Sequence, residues 1–191
     1  MSSVKLEERA ALVLIDIQKG ILALPTAVPT TEIKARCMRL AEAFHARDLP
    51  VVRVRVGWSA DGGDLPRMRA EKPGPAAPPP AEFAQFPEDF PAAPGDISIV
   101  KRHWGAFTGT ELDLQLRRRG VSQIVLAGIS TSIGVESTAR SAWEHSYNVL
   151  FVEDATTDPD AASHEHSFTK IFPRLGEITD TDQVIAALGA R

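Results

Sequence analysis

The stretch Leu126-Ala127-Gly128-Ile129-Ser130-Thr131-Ser132-Ile133-Gly134-Val135-Glu136-Ser137-Thr138-Ala139 decides how this chain is read. The apolar run that enters it, from Ile124 to Ala127, predicts the end of a buried strand. The Ser/Thr-rich turn that follows offers side-chain oxygens suited to the start of a helix, expected over residues 133–144. A strand that passes into a helix through such a turn aims unpaired backbone N–H groups at whatever lies in front of it. The turn is therefore the first place to look for a site.

Working outward, the same alternation of short β-branched runs and longer amphipathic stretches recurs along the chain. Strands are expected at 11–15, 51–56, 97–100, 123–127 and 149–152, with a weaker one at 177–178. Helices are expected at 31–46, 110–119, 133–144, 164–172 and 181–188. This is the pattern of an α/β protein, a mostly parallel sheet with helices on both faces. With 191 residues and 43% hydrophobic content, the chain has enough apolar material for one sizeable core and is short for two domains. A single domain over 1–191 is expected. The regular pattern is interrupted at about 57–96 by a Pro-, Gly- and Ala-rich segment containing Pro78-Pro79-Pro80. Its aromatic residues Trp58, Phe83, Phe86 and Phe90 predict an ordered lid or loop over the strand ends.

Charge and cysteine usage narrow the function. The net charge of −4, with no basic run beyond Arg117-Arg118-Arg119, gives no electrostatic footprint for nucleic acid. That trio fits the end of a helix, where cations suit the dipole. No apolar run approaches membrane-spanning length, and the N-terminus lacks an apolar signal core. Cys37 has no partner for an internal disulfide, and a cytoplasmic location is expected. Its place in an amphipathic helix predicts a packed core thiol.

Open α/β sheets bind ligands at the carboxyl ends of their strands, where the strand order reverses. Asp16 directly follows Leu12-Val13-Leu14-Ile15, with Gln18 just beyond, and Lys101 directly follows Ile97-Ser98-Ile99-Val100. Taken alone, the first reads equally as a turn carboxylate and the second as a lysine reaching for water.

Together, these positions resemble the isochorismatase-like hydrolase family. Leu14-Ile15-Asp16-Ile17-Gln18 is similar to its strand-Asp-x-Gln opening. Pro94-Gly95-Asp96 with Val100-Lys101 and Gly105-Ala106-Phe107-x-Gly109-Thr110-x-Leu112 is similar to its lysine segment. Glu153-Asp154-Ala155 follows the fifth strand as in the family. The turn resembles the family signature Gly-x-x-Thr-x-x-Cys-Val-x-x-Thr-Ala through Gly128, Thr131, Val135, Thr138 and Ala139, with Gly134 at the cysteine position.

The resemblance implies a three-layer α/β/α, Rossmann-like fold with a six-stranded sheet of order 3-2-1-4-5-6. It implies that Asp16 and Lys101 are catalytic and that residue 134 is where a cysteine nucleophile usually stands. In cysteine-bearing members a thiolate attacks an amide or carbamate carbonyl; Gly134 closes that route here. Cysteine-free members, the isochorismatases, hydrolyse a vinyl ether by proton transfer to carbon, a role Asp16 can fill when protonated, supported by Lys101. Burial would raise its pKa and the Lys101 ammonium would lower it. A hydrolase acting on a small metabolite without a cysteine nucleophile is the leading expectation. A catalytically silent binding or assembly protein is the alternative, and an amidase using Ser130 or Ser132 is a third.

The resemblance further implies a non-proline cis bond at Ile129-Ser130 in an oxyanion-binding turn, a homo-oligomer (dimer or tetramer), and no cofactor. The place after the second strand where nicotinamidase-type relatives hold a metal through an Asp-x-His pair reads Val54-Arg55-Val56-Gly57-Trp58 here, so no metal is expected. His164 and His166 lie in a polar stretch that reads as solvated surface. Trp58, Trp104, Phe107 and Gln18 are expected to shape the pocket, with Arg55 or Arg102 as carboxylate clamps.

Overall fold

A computed structural model describes residues 4–190. The chain runs β1 (Ala10–Ile15), α1 (Lys19–Leu22), α2 (Thr30–His45), β2 (Val51–Val56), β3 (Ile97–Lys101), α3 (Leu112–Arg118), β4 (Gln123–Ile129), α4 (Glu136–Glu144), β5 (Asn148–Thr157), α5 (Ala161–His166), β6 (Glu177–Thr179) and α6 (Thr181–Gly189). The strands form one sheet of order β3-β2-β1-β4-β5-β6, and every neighbouring pair is parallel. The expected fold class and strand order are both found.

The pattern of residues explains this arrangement. Strands β1 and β4 are buried along their whole length, as apolar runs covered on both faces must be, whereas the edge strand β3 alternates buried and exposed positions. Two hydrophobic clusters lie on opposite faces of the sheet. One joins α2 and α6 through Ile33, Cys37, Leu40, Phe44, Val184 and Leu188. The other joins α3 and α4 through Leu112, Leu116, Ala139 and Ala142. The buried residues of α2 recur at helical spacing, and each large one contributes about 1.5–3 kcal/mol through removal from water.

Some boundaries differ from expectation. Strand β5 runs on to Thr157 through a register shift against β4, and its threonines are satisfied internally, with Thr156 Oγ1 donating to the Val152 carbonyl. The helix expected at 164–172 begins at Ala161, where Asp160 accepts from the N–H groups of Ala162 and Ser163, and ends in a π turn and a 3₁₀ turn that contains Pro173.

The Pro-rich connection is anchored by its aromatic residues. Phe83 packs against Gly20, where an added methyl group would overlap its ring. Phe86 and Phe90 flank the buried Arg53 guanidinium at 4.2 and 4.1 Å, and Arg53 Nη2 donates to the Phe90 carbonyl. Lys34 pairs with Asp89 and Lys19 with Glu88. Between these anchors and β2, residues 67–77 are exposed. Among the described residues no helix is long and apolar enough to cross a membrane.

Candidate active site

The chain leaves β1 at the centre of the sheet, builds outward to β2 and β3, and returns to β4 on the other side of β1. The crevice of an open α/β sheet lies at this reversal. Asp16 stands at its rim in the left-handed region, with φ of 54°, a conformation that aspartate tolerates better than most residues. Strand alternation would put Asp16 on the face of Leu12 and Leu14; the left-handed turn sends it instead to the face of Ile99 and Lys101. Lys101 spans the end of β2, and its Nζ lies 2.7 Å from Asp16 Oδ2 and 3.3 Å from the His103 carbonyl.

Asp16 is 4% exposed and Lys101 2%. Burial raises the Asp16 pKa, and it outweighs the opposing effects of Lys101 and of hydrogen bonding. In the competition left open by sequence, burial is therefore the larger influence, and the pKa is raised. The second carboxyl oxygen, Oδ1, is buried with no hydrogen-bond partner. An unmatched acceptor of this kind is expensive unless another molecule supplies a donor.

The turn after β4 closes the other side. The Ile129-Ser130 bond is cis. Residues Thr131–Val135 form a π turn in which the N–H groups of Ile133 and Val135 both reach the Ser130 carbonyl. Gly134 lies directly opposite the acid pair: a Cβ built there would sit 3.3 Å from Asp16 Oδ2 and 2.9 Å from Ile15 Cγ2. Its carbonyl accepts from Thr138 Oγ1, which itself accepts from the Ala106 N–H, so the turn is tied to the loop after Lys101.

The remaining expected residues divide. Gln18 is fully buried, but both ends of its amide are occupied by backbone: Nε2 donates to the carbonyls of Val56 and Phe83, and Oε1 accepts from the Val56 N–H. It braces the site and does not line it. Trp58 is half-buried, packs near Phe83 and donates to the Arg102 carbonyl. Trp104 is 66% exposed and walls a cleft of about 300 Å³ together with Met68, His103, Thr108 and Ser137. Phe107 is a correction: it turns into the core beside His145 and Tyr147 because the loop that carries it folds back over α3 and α4. Of the suggested clamps, Arg102 is paired with Asp64, and Arg55 lies over Phe86 and donates to the Ala84 carbonyl. Ser132 is tied to Asp158, to which both its N–H and its hydroxyl donate. Cys37 is buried, and its thiol is pushed up to about 12 by that burial.

Sequence reasoning missed one group. His164 is half-buried rather than solvated, and its Nδ1 lies 2.7 Å from Thr131 Oγ1 across a gap of 33 residues. Asp158 and Thr138 also hold the turn. Only Thr138 carried a signal, as a match to the family motif; nothing local marked the other two. Among the described residues no three His, Cys, Asp or Glu side chains converge as a metal site. A larger groove of about 820 Å³ lies at the opposite, amino end of the sheet, beside Gln123, Asn148 and Glu177, away from the acid pair.

Comparison with known proteins agrees with this geometry. Residues 10–183 match the isochorismatase domain. The uncharacterized isochorismatase family protein YecD of Escherichia coli O157:H7 is 46% identical over 179 residues, covering 93% of this chain and 95% of that one. Ureidoacrylate amidohydrolase RutB of Methylobacterium radiotolerans is 36% identical over 97 residues, 50% of this chain and 38% of that protein. The solved structure of an isochorismatase family protein from Burkholderia thailandensis superposes with a TM-score of 0.95 at 42% identity, covering 98% of this chain and 100% of that one. The sheet order, the acid pair at its reversal and these likenesses lead to one conclusion: the chain belongs to the isochorismatase family of hydrolases.

Proposed function

We propose that this protein hydrolyses a small metabolite without a covalent thiol intermediate, with Asp16 as general acid/base and Lys101 as its support. The observation that carries the reading is the setting of Asp16: a buried carboxyl whose pKa is raised by that burial, with one oxygen on Lys101 and the other unmatched. Such a group suits proton donation in a dry site. Vinyl ether hydrolysis needs nothing more covalent. The Asp16 proton passes to the enol-ether methylene carbon, water adds to the resulting oxocarbenium carbon, and the hemiketal so formed breaks its C–O bond to release a ketone and an alcohol. The carboxylate recovers its proton from the added water. With no side chain, Gly134 supplies no nucleophile, and its backbone stands close against the acid: a Cβ there would lie 3.3 Å from Asp16 Oδ2 and 2.9 Å from Ile15 Cγ2.

The direct test is pyruvate release from isochorismate by the purified protein and by its Asp16→Asn variant. Asp16→Asn is expected to lower turnover by at least about 10²-fold, the usual scale for a general acid, while leaving binding largely intact. Equal rates would refute the role of Asp16.

A second reading, a small-molecule binder that has lost hydrolysis, is favoured by Gly134 alone. The acid pair stands where it would serve a nucleophile, and the nucleophile is missing. No turnover by the wild type on vinyl ethers or amides, with retained binding of the same compounds, would favour it. In either reading the protein is taken to act as a homo-oligomer, with exposed Ile133 and Trp143 near α4 as available apolar surface. Gel filtration would test that.

A further inference from the structure

The proposed chemistry does not use the polar cluster behind the turn, yet that cluster grips the segment carrying Gly134. Thr131 is fully buried, and the His164 imidazole is the only hydrogen-bond partner of its hydroxyl among the described residues. Alongside, the N–H and hydroxyl of Ser132 both donate to Oδ2 of the buried Asp158, at 2.8 Å each. The imidazole ring is held at 4.7 Å from Phe168, a core residue. Thus α5 and the loop before it hold one flank of the turn, while Thr138 and Ala106 hold the other.

The direction of the Thr131–His164 bond follows from counting protons. If Nδ1 carried a hydrogen, it would donate to Thr131 Oγ1, and the hydroxyl proton would then have no acceptor in a place water does not reach. If Nδ1 presents its lone pair, the hydroxyl donates to it and no buried proton is stranded. We infer that His164 is a positioning residue of the active-site turn, holding it as a neutral imidazole that accepts the Thr131 hydroxyl through Nδ1 and keeps its proton on Nε2. The inference rests on reading the Asp16 crevice as the reacting site only for its consequence; the bond itself is independent of any turnover.

Burial lowers the His164 pKa below its ordinary 6.5, which keeps the ring neutral near pH 7. Glu153 on β5 and Asp158 act in the opposite sense. Beyond Ser167, Glu136 of α4 is engaged with Arg140 and with the Ser167 hydroxyl. Acidification through the His164 titration removes the Nδ1 lone pair, reverses the bond and strands the Thr131 proton. The turn then loosens.

The test is hydrogen exchange of the Ile133 and Val135 amides, both bonded to the Ser130 carbonyl, followed by NMR against pH. The imidazole signals of His164 report its titration, and core amides of α2 report global stability. In the wild type, protection of the two turn amides is expected to fall roughly tenfold as His164 protonates, with the α2 amides unchanged; a stranded buried donor has about that effect. Thr131→Val and His164→Leu are expected to show the loosened turn at every pH. His164→Asn places an amide oxygen near the Nδ1 position and does not titrate, so it is expected to restore protection and abolish the pH step. The inference is overturned if protonation of His164 leaves the turn amides unchanged, if His164→Leu matches the wild type at neutral pH, or if turn and α2 amides lose protection equally. None of these readouts uses hydrolysis, so failure on isochorismate and failure here are separate results.

Discussion

Replacing Lys101 with methionine keeps most of the aliphatic stem and removes the cation, leaving Asp16 buried alone. The perturbation is therefore electrostatic. Burial already holds the Asp16 pKa above its ordinary 3.8, and Lys101 is the main influence acting against it. Without Lys101 the rise is larger. A carboxyl whose pKa is raised by folding favours the folded state where it is protonated. That stability is lost as pH climbs from the ordinary carboxylate value through the folded one, at about 1.4 kcal/mol per pH unit for one proton. Removing one partner of a buried pair costs about 3–5 kcal/mol. For a chain of this size that is a fall in Tm of roughly 6–20 °C at pH 8, and a smaller fall at pH 5. Urea unfolding of the wild type, Lys101→Met, Asp16→Asn and the double variant at both pH values measures it. The double variant buries no charge at the site and is expected to regain part of the loss. Equal destabilisation of Lys101→Met at both pH values, or a double variant as unstable as the sum of the singles, would refute the reasoning.

Two further outcomes follow from the same geometry. Gly20→Ala drives a methyl group into the Phe83 ring and forces the ring to shift, at an overpacking cost of about 1–3 kcal/mol, so limited proteolysis within residues 57–96 is expected to accelerate; an unchanged cleavage rate would show that Phe83 does not anchor the segment. The native wild type is expected to resist thiol reagents near neutral pH because Cys37 is buried and pushed up to about 12, whereas Gly134→Cys, once Ile15 yields, is expected to label at the introduced thiol beside Asp16 and Lys101 and to be screened for amide hydrolysis; rapid labelling of the wild type would contradict the buried position of Cys37.

The fold was legible because its strands are apolar β-branched runs that stand out from the amphipathic stretches between them. Where side chains were polar but satisfied internally, as at Thr156 in β5, the strand read too short. Asp16 and Lys101 were legible only through the family resemblance, since their places at strand ends alone read equally well as a turn carboxylate and a lysine reaching for water; Gly134 was legible from its place in the motif. The direction of the Asp16 pKa shift was not, because it depends on how deeply two distant segments bury each other. Phe107 and Gln18 lie in irregular connections where no periodicity separates an inward residue from an outward one. His164 looked like a polar helix residue because its partner, Thr131, is 33 positions away.

Gln18 has a consequence for how such a scaffold diversifies. Its amide fastens the segment over the crevice by gripping the carbonyl of Phe83 and both backbone groups of Val56, and so it reads the path of the chain and not the identity of side chains. Exchanges along the covering segment that preserve that path leave the fastening intact. The side chains of that segment are thereby free to drift, while Asp16 and Lys101 stay where they are.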